Sequence, residues 1–235
     1  MDRLNRLDRE IIHTGKTALM LSLPVNRLDL AIVDDLAQRL ASAGVDILDW
    51  SFVAHRVNES EVFDAKLADV FAVAKLFRKL NSSTVQSCTV DLSAYDDLEP
   101  LFENAANSGL DVLGQVSKEP LHTDNAAIYQ SCRLSASYAA DDRVELSRHD
   151  LCFAQVESAP ALNLNQRWVY PHEAIPIDFA TPLAVRPWAV CISQAVVELV
   201  GQKGDNRSHL REVLVPFAKN CRHWLDHRYT HIQDR

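Results

Sequence analysis

Polar residues able to move protons or hold charge recur just after four short apolar runs. Asn26 and Arg27 follow Thr17–Leu23, and Asp49, Ser51, His55 and Arg56 end or follow Val45–Trp50. Asp91 and Ser93 follow Thr84–Val90, and Gln115, Lys118, His122 and Asp124 end or follow Leu110–Val116. Asp49, His55, Asp91, Lys118 and His122 are the candidate catalytic set. Two carboxylates can hold a divalent metal or work as an acid/base pair, an imidazole titrates near neutral pH, and a lysine can bind an anion or polarise an electrophile. The competing use is structural. Strand-end loops are polar in any α/β protein, and Asn26 and Ser93 both fit as helix caps.

Two other groups merit the same weighing. Arg167, Trp168, His172, Glu173 and Asp178 lie in or beside 168–187, a stretch carrying Pro171, Pro176, Pro182 and Pro187. Such a stretch is expected to be irregular, and irregular segments of this length serve as binding loops or as plain connectors. His223, His227 and His231 recur every four residues, along one face of a helix, and an i, i+4 imidazole pair can chelate a metal. Arg222, Asp226, Arg228 and Arg235 surround them. That is the pattern of a solvated helix end, and no carboxylate completes a metalloprotease motif.

Absent motifs exclude more than the present ones assign. The six glycines never fall as G-x-G-x-x-G or G-x-x-x-x-G-K-[ST]. Backbone can approach a pyrophosphate closely only where no Cβ intrudes, so a Rossmann or P-loop nucleotide site is disfavoured. G-x-S-x-G, H-E-x-x-H and the kinase signatures are missing too.

The elements that must position the candidate set follow a repeating grammar. The four apolar runs read as strands covered on both faces. Between the first two, Asn26 and Asp29 open a helix whose Leu28, Ile32, Leu36 and Leu40 share a face, and Gly44 ends it. Asn58 and Glu61 open the next, apolar nearly all round and so expected to lie sandwiched inside the protein. Ser93 and Asp96 open a third, which Pro100 must kink or delay. Strand, helix and strand in this order build a mainly parallel sheet with helices outside, as a barrel or as an open doubly wound sheet. Further on, Pro187–Val200 reads as a helix, as does a final amphipathic stretch with Leu210, Leu214, Cys221, Trp224 and Leu225, interrupted at Pro216. Residues 1–125 are thus expected to be the strand–helix repeat. Residues 126–235 are expected to be a mixed region with a proline-rich loop and C-terminal helices, continuous with the first as one domain.

Composition sets the outer limits. At 235 residues, 47% hydrophobic and 24% charged, the chain can bury a substantial core. Its net charge of −8 falls mostly on residues 1–121, where 12 Lys/Arg face 19 Asp/Glu. An acidic body repels a phosphate backbone, so nucleic-acid binding is not expected. No apolar run is long enough to span a bilayer, and the charged start Met1–Arg6 lacks the apolar core of a signal peptide. Cys88, Cys132, Cys152, Cys191 and Cys221 are widely spaced and odd in number, which fits reduced thiols in a cytoplasmic protein.

Segments 41–53 and 90–121, including Gly109-Leu110-Asp111 and Lys118-Glu119-Pro120-Leu121, resemble the later strands of EAL-type cyclic-di-GMP phosphodiesterase barrels. That family's paired aspartates are not matched at Asp49-Trp50, and its catalytic Glu positions fall on Cys88 and Asp91. The resemblance therefore implies a barrel-type helix-to-strand pattern and no activity. Two function classes remain. One is a cytosolic enzyme acting on a small polar metabolite at the strand-end rim, with cofactor and metal unspecified. The other is a non-catalytic adaptor or regulatory subunit that docks a protein partner through its C-terminal helix, by Trp224, Leu225 and Tyr229.

Overall fold

A computed structural model describes residues 3–24, 30–51, 60–90, 99–115, 133–137, 152–153, 167–172, 186–192 and 207–230. The elements, in order, are α1 (Arg3–Thr14), β1 (Ala18–Pro24), α2 (Leu30–Ser42), β2 (Ile47–Ser51), α3 (Ser60–Leu80), β3 (Val85–Val90), α4 (Glu99–Asn107) and β4 (Val112–Gln115). After them come β5 (Arg133–Ser137), β6 (Cys152–Phe153), β7 (Trp168–His172), β8 (Ala189–Ile192) and α5 (Arg207–Thr230). Every strand pairs in parallel with its sequence neighbour, and β8 returns to β1 through Ala18↔Ala189 and Leu21↔Ile192. The sheet is a closed eight-stranded barrel, which decides between the two architectures left open by the sequence.

The strands are apolar on both faces because each face meets a different core. Ala18, Met20, Ile47, Val85, Val112, Val169, Ala189 and Cys191 point into the lumen and pack with Leu4, Leu7 and Ile11 of α1. Leu19, Leu21, Leu23, Leu48, Trp50, Cys88, Leu113, Val190 and Ile192 point outward, where α2, α3, α4 and α5 cover them. Trp50 is the largest of these. It meets the Phe77 ring edge-on at 5.6 Å, and its indole N–H donates to Gln86 Oε1 at 2.8 Å. A buried indole thus keeps its polar atom satisfied while contributing a large apolar surface.

Helix α1 closes the barrel at the amino ends of the strands. Arg3 and Arg6 donate to the carbonyls of Ser82 and Ser83, just before β3. Asp8 accepts from Trp188 Nε1 at 2.9 Å, just before β8. The sequence reading treats the amino-terminal residues only as charged. Yet Leu4, Leu7 and Ile11 have helical spacing, and that single apolar stripe is what plugs the lumen.

Several expectations are corrected. Pro187–Val200 is not a helix at its start, because Ala189–Ile192 forms β8. A four-residue apolar run carries no periodicity that separates strand from helix, and pairing with β1 and β7 settles it here. Trp168–His172 is a strand despite Pro171. The pairing of β7 with β6 stops at Val169, so among the described residues Pro171 is bonded on the β8 side alone. Helix α3 is not sandwiched, since Ala68, Asp69, Ala72, Lys75 and Lys79 form an exposed face. Helix α5 runs through Pro216, which faces solvent while Leu214, Ala218, Cys221 and Leu225 anchor the opposite face. Helix α4 is described from Glu99, with Pro100 as its second residue, and the segment before it lies outside the described residues. The proposed caps Asn26, Asn58 and Ser93 lie outside the described residues.

Gly44 ends the turn after α2 with φ of +83°, as its place in the sequence requires. A Cβ there would lie 2.6 Å from Arg222 Cγ on α5. Gly44→Ala is expected to cost about 1–3 kcal/mol, from the left-handed backbone and the displaced arginine together. Urea denaturation measures it, and a loss under ~0.5 kcal/mol would mean that α5 yields freely.

Candidate functional site

Inward-facing residues change character from one end of the barrel to the other. Met20, Ile47 and Val85 are neighbours in register across β1, β2 and β3, and all three are apolar. Two residues further along each strand the same face presents Ser22, Asp49 and Ser87, again in register. The alternation of a strand makes this unavoidable, since residues two apart share a face. Below this polar row lies the α1 plug. Beyond it lie the carboxyl ends of the strands, where parallel barrels keep their sites.

Asp49 is held on both oxygens. The Ser22 hydroxyl donates to Oδ2 at 2.9 Å, and the Ser87 hydroxyl donates to Oδ1 at 2.8 Å. All three residues are buried, Asp49 at 7% exposure. Burial pushes the Asp49 carboxyl above its ordinary value of 3.8, and the hydroxyls of Ser87 and Ser22 oppose that rise. Cys191 on β8 feels the same environment. Burial first, and then the Asp49 charge, raise its thiol well above the usual value. A thiol so raised is a poor nucleophile, so Cys191 serves as lumen packing. Cys88, Cys191 and Cys221 are buried and reduced.

Of the candidate set, Asp49 is the residue that the structure places, and it stands in the lumen. His55, Asp91, Lys118 and His122 lie outside the described residues, as do Asn26, Arg27, Arg56, Ser93 and Asp124. Ser51 and Gln115 are the last residues of β2 and β4. Ser22 and Ser87 were missed. Their signal was a serine in the register row of Asp49 on each flanking strand, the one polar residue of β1 in Ser22 but one of three in β3, beside Gln86 and Thr89. Among the described residues, no group of three or more His, Cys, Asp or Glu is arranged to hold a metal ion.

The other two groups resolve differently. Arg167 is not part of a lid. Its guanidinium bonds Asn5 Oδ1 and Asp8 Oδ2 of α1 and lies over the Trp188 ring, all at the amino ends of the strands. Glu173 and Asp178 lie outside the described residues. His223 and His227 are exposed on α5, with ring centroids 4.2 Å apart, as a solvated helix end predicts. Leu225, offered above as a docking residue, is 1% exposed and belongs to the core, with Trp224 half-buried against it.

Asp46 shows what a carboxylate does at the opposite end of β2. It accepts from Leu19 N at 2.8 Å and from Arg222 Nη1 at 3.2 Å, tying α5 to β1. Burial lifts its pKa from 3.8 to about 6, against the pull of the Leu19 bond and Arg222. A carboxyl raised in the folded state stabilises most below its unfolded value, and that contribution is lost as pH climbs through the folded one. Asp46→Asn cannot ionise. Its stability relative to the parent is therefore expected to improve between pH 4 and pH 7, by up to about 3 kcal/mol at ~1.4 kcal/mol per pH unit. Urea melts across that range test the sign. A difference that stays flat or falls would mean that Arg222 compensates the charge fully.

No family model matches the chain, and no curated protein matches it. Solved structures do match along nearly its full length. Tryptophan synthase subunit alpha from Legionella pneumophila str. Paris superposes with a TM-score of 0.72 at 14% identity, covering 97% of this chain and 99% of that one. Tryptophan synthase from M. tuberculosis, in a ligand-free form, gives 0.69 at 13% identity, covering 94% and 100%. At such identity the likeness carries the fold. Among the described residues no helix is long and apolar enough to cross a membrane.

Proposed function

We propose that this chain is an enzyme acting on a small polar metabolite at the carboxyl-end rim of its barrel, with Asp49 as its proton-transferring carboxyl group. The observation that carries the reading is the placement of Asp49. A carboxyl buried where the lumen turns polar, gripped by two hydroxyls, is costly to keep for folding alone. Burial raises its pKa above the ordinary carboxyl value, the direction that a proton-exchanging carboxyl needs. In the sequence His55 follows β2, Asp91 follows β3, and Lys118 and His122 follow β4, and the proposal takes all four as contributors to the same rim. In this reading Asp91 assists as a second carboxylate or metal ligand, His55 or His122 shuttles the proton, and Lys118 meets an anionic or electrophilic group. Both halves of the sequence act as one domain, supported by the pairing of β8 with β1. The setting is cytoplasmic, with no nucleic acid and no membrane involved.

That the neighbours are named as a synthase subunit supports enzymatic use of the barrel by analogy of fold. The adaptor alternative is less favoured, because Leu214, Ala218, Cys221 and Leu225 of α5 are spent on the core. A thermal-shift screen of small polar metabolites, with and without Mg²⁺, Mn²⁺ or Zn²⁺, tests the proposal on the parent and on Asp49→Asn. A compound that stabilises the parent and not the variant supports it. If every stabilising compound acts equally on both proteins, Asp49 is not at the site.

A further inference from the structure

We infer that Ser22 and Ser87 are positioning residues that hold Asp49 as a proton acceptor in the barrel lumen. The inference rests on the reading of Asp49 as the proton-transferring group and adds what sets its charge state. Three strands supply the clamp in one row of the register, Ser22↔Asp49 and Asp49↔Ser87. Each hydroxyl takes a different carboxylate oxygen, at 2.9 and 2.8 Å. Two contacts on opposite oxygens fix the carboxylate plane, which a single bond would leave free to rotate.

The direction of these bonds decides the chemistry. A hydroxyl can donate or accept, but an ionised carboxylate only accepts, so both serines donate when Asp49 is charged. When Asp49 takes a proton, the oxygen that receives it becomes a donor or a weakened acceptor. At least one serine bond must then reverse or lengthen. The clamp therefore favours the charged form and opposes the desolvation that disfavours it. Among the described elements packed around the carboxyl, Cys191 of β8 is the titratable group facing it, and its thiol stays neutral. Met20, Ile47, Val85, Val112 and Ala189 add apolar walls to the lumen. The two hydroxyls are the side-chain hydrogen bonds that oppose the desolvation of this group. The transfer itself needs no co-reactant: a donor group on the bound molecule loses an O–H or N–H bond, and Asp49 gains one.

The test needs no ligand, because the proton is the probe. The Asp49 side-chain carbon can be followed by NMR through a pH titration in the parent, Ser22→Ala, Ser87→Ala, the double variant, and Ser22→Thr with Ser87→Thr. Each lost hydroxyl is expected to shift the Asp49 midpoint upward, with an acid dissociation constant lower by about tenfold. The double variant shifts further, and the threonine variants return toward the parent value. Urea melts run alongside report whether the fold has changed. Unmoved midpoints in both folded alanine variants, or threonine variants that behave like alanine, would overturn the clamp. Should the double variant fail to fold, the singles and their threonine counterparts decide. Failure of the enzyme reading looks different: the midpoints shift as expected, yet Asp49→Asn leaves every ligand response intact.

Discussion

On the proposed reading, Asp49→Asn is expected to abolish turnover and the associated ligand response, while the barrel gains stability relative to the parent as pH rises. The functional loss should reach about 10²–10⁴-fold, the usual contribution of a positioned acid or base. The stability expectation follows from burial. In the folded protein the Asp49 carboxyl titrates above its ordinary value, with burial as the leading cause. A group raised in this way contributes stability below its unfolded pKa and loses that contribution as pH rises through the folded pKa. Once pH has risen through that folded value the parent carries the cost of a buried charge, and asparagine does not. Asparagine also keeps the clamp, because its Oδ1 accepts from one serine while its Nδ2 donates to the oxygen of the other. Asp49→Ala lacks both options. It strands the hydroxyls of Ser22 and Ser87 in the lumen and should cost ~1–3 kcal/mol. Urea melts of both variants at pH 5 and pH 8 separate the two, with turnover or ligand shift measured in parallel. If asparagine destabilises as much as alanine and leaves ligand response intact, Asp49 is a structural carboxyl.

The first half of the barrel was legible because β1, β2 and β3 are each followed by a helix with clear periodicity. Leu36, Leu40, Phe77 and Phe102 mark those helix faces, and strands buried on both sides announce themselves as uninterrupted apolar runs. The second half was opaque for a physical reason. Cys152–Phe153 is two residues long, Ala189–Ile192 is four, and Trp168–His172 contains a proline. Strands so short are fixed by their neighbours in the ladder rather than by their own pattern. Asp49 was picked out by its position at a strand end. The partners Ser22 and Ser87 were not, because a serine within a strand is unremarked until the register aligns three strands. The exposure of His223 and His227 on α5 was legible from the charges around them, while His231 lies outside the described residues. Asp111 and Arg78 gave no local signal whatever, since they meet only when α3 and β4 are brought together by the barrel.

Arg78→Ala is expected to cost about 3–5 kcal/mol, more than any exposed charge in the protein. Arg78 closes α3 and is largely buried, its side chain 13% exposed, against Asp111 at 7%. Its Nη2 bonds Asp111 Oδ2 at 2.6 Å, its Nε and Nη2 bond the carbonyl of Gly109, and its Nη1 bonds the carbonyl of Thr84 at 2.9 Å. One guanidinium thereby joins the turn before β3 to the turn before β4. Removing it leaves the buried Asp111 carboxylate without its best partner and the Thr84 carbonyl without this donor. Arg3 also reaches Asp111, at 2.8 Å, but it is 32% exposed, and an ion pair of that kind is worth ~0–1 kcal/mol. Arg3→Ala should therefore barely register beside Arg78→Ala. The loss at Arg78 also travels toward the site. Asp111 Oδ2 accepts from Gln86 N at 2.9 Å, and Gln86 is the residue before Ser87. A β3 strand loosened at Gln86 lets Ser87 drift from Asp49 Oδ1. Arg78→Ala should then raise the Asp49 midpoint by less than Ser87→Ala does, whereas Arg3→Ala should leave it in place. Equal losses of stability for Arg3→Ala and Arg78→Ala would show that the buried fork carries no special weight. An unmoved Asp49 midpoint in a folded Arg78→Ala protein would show that β3 holds its register without it.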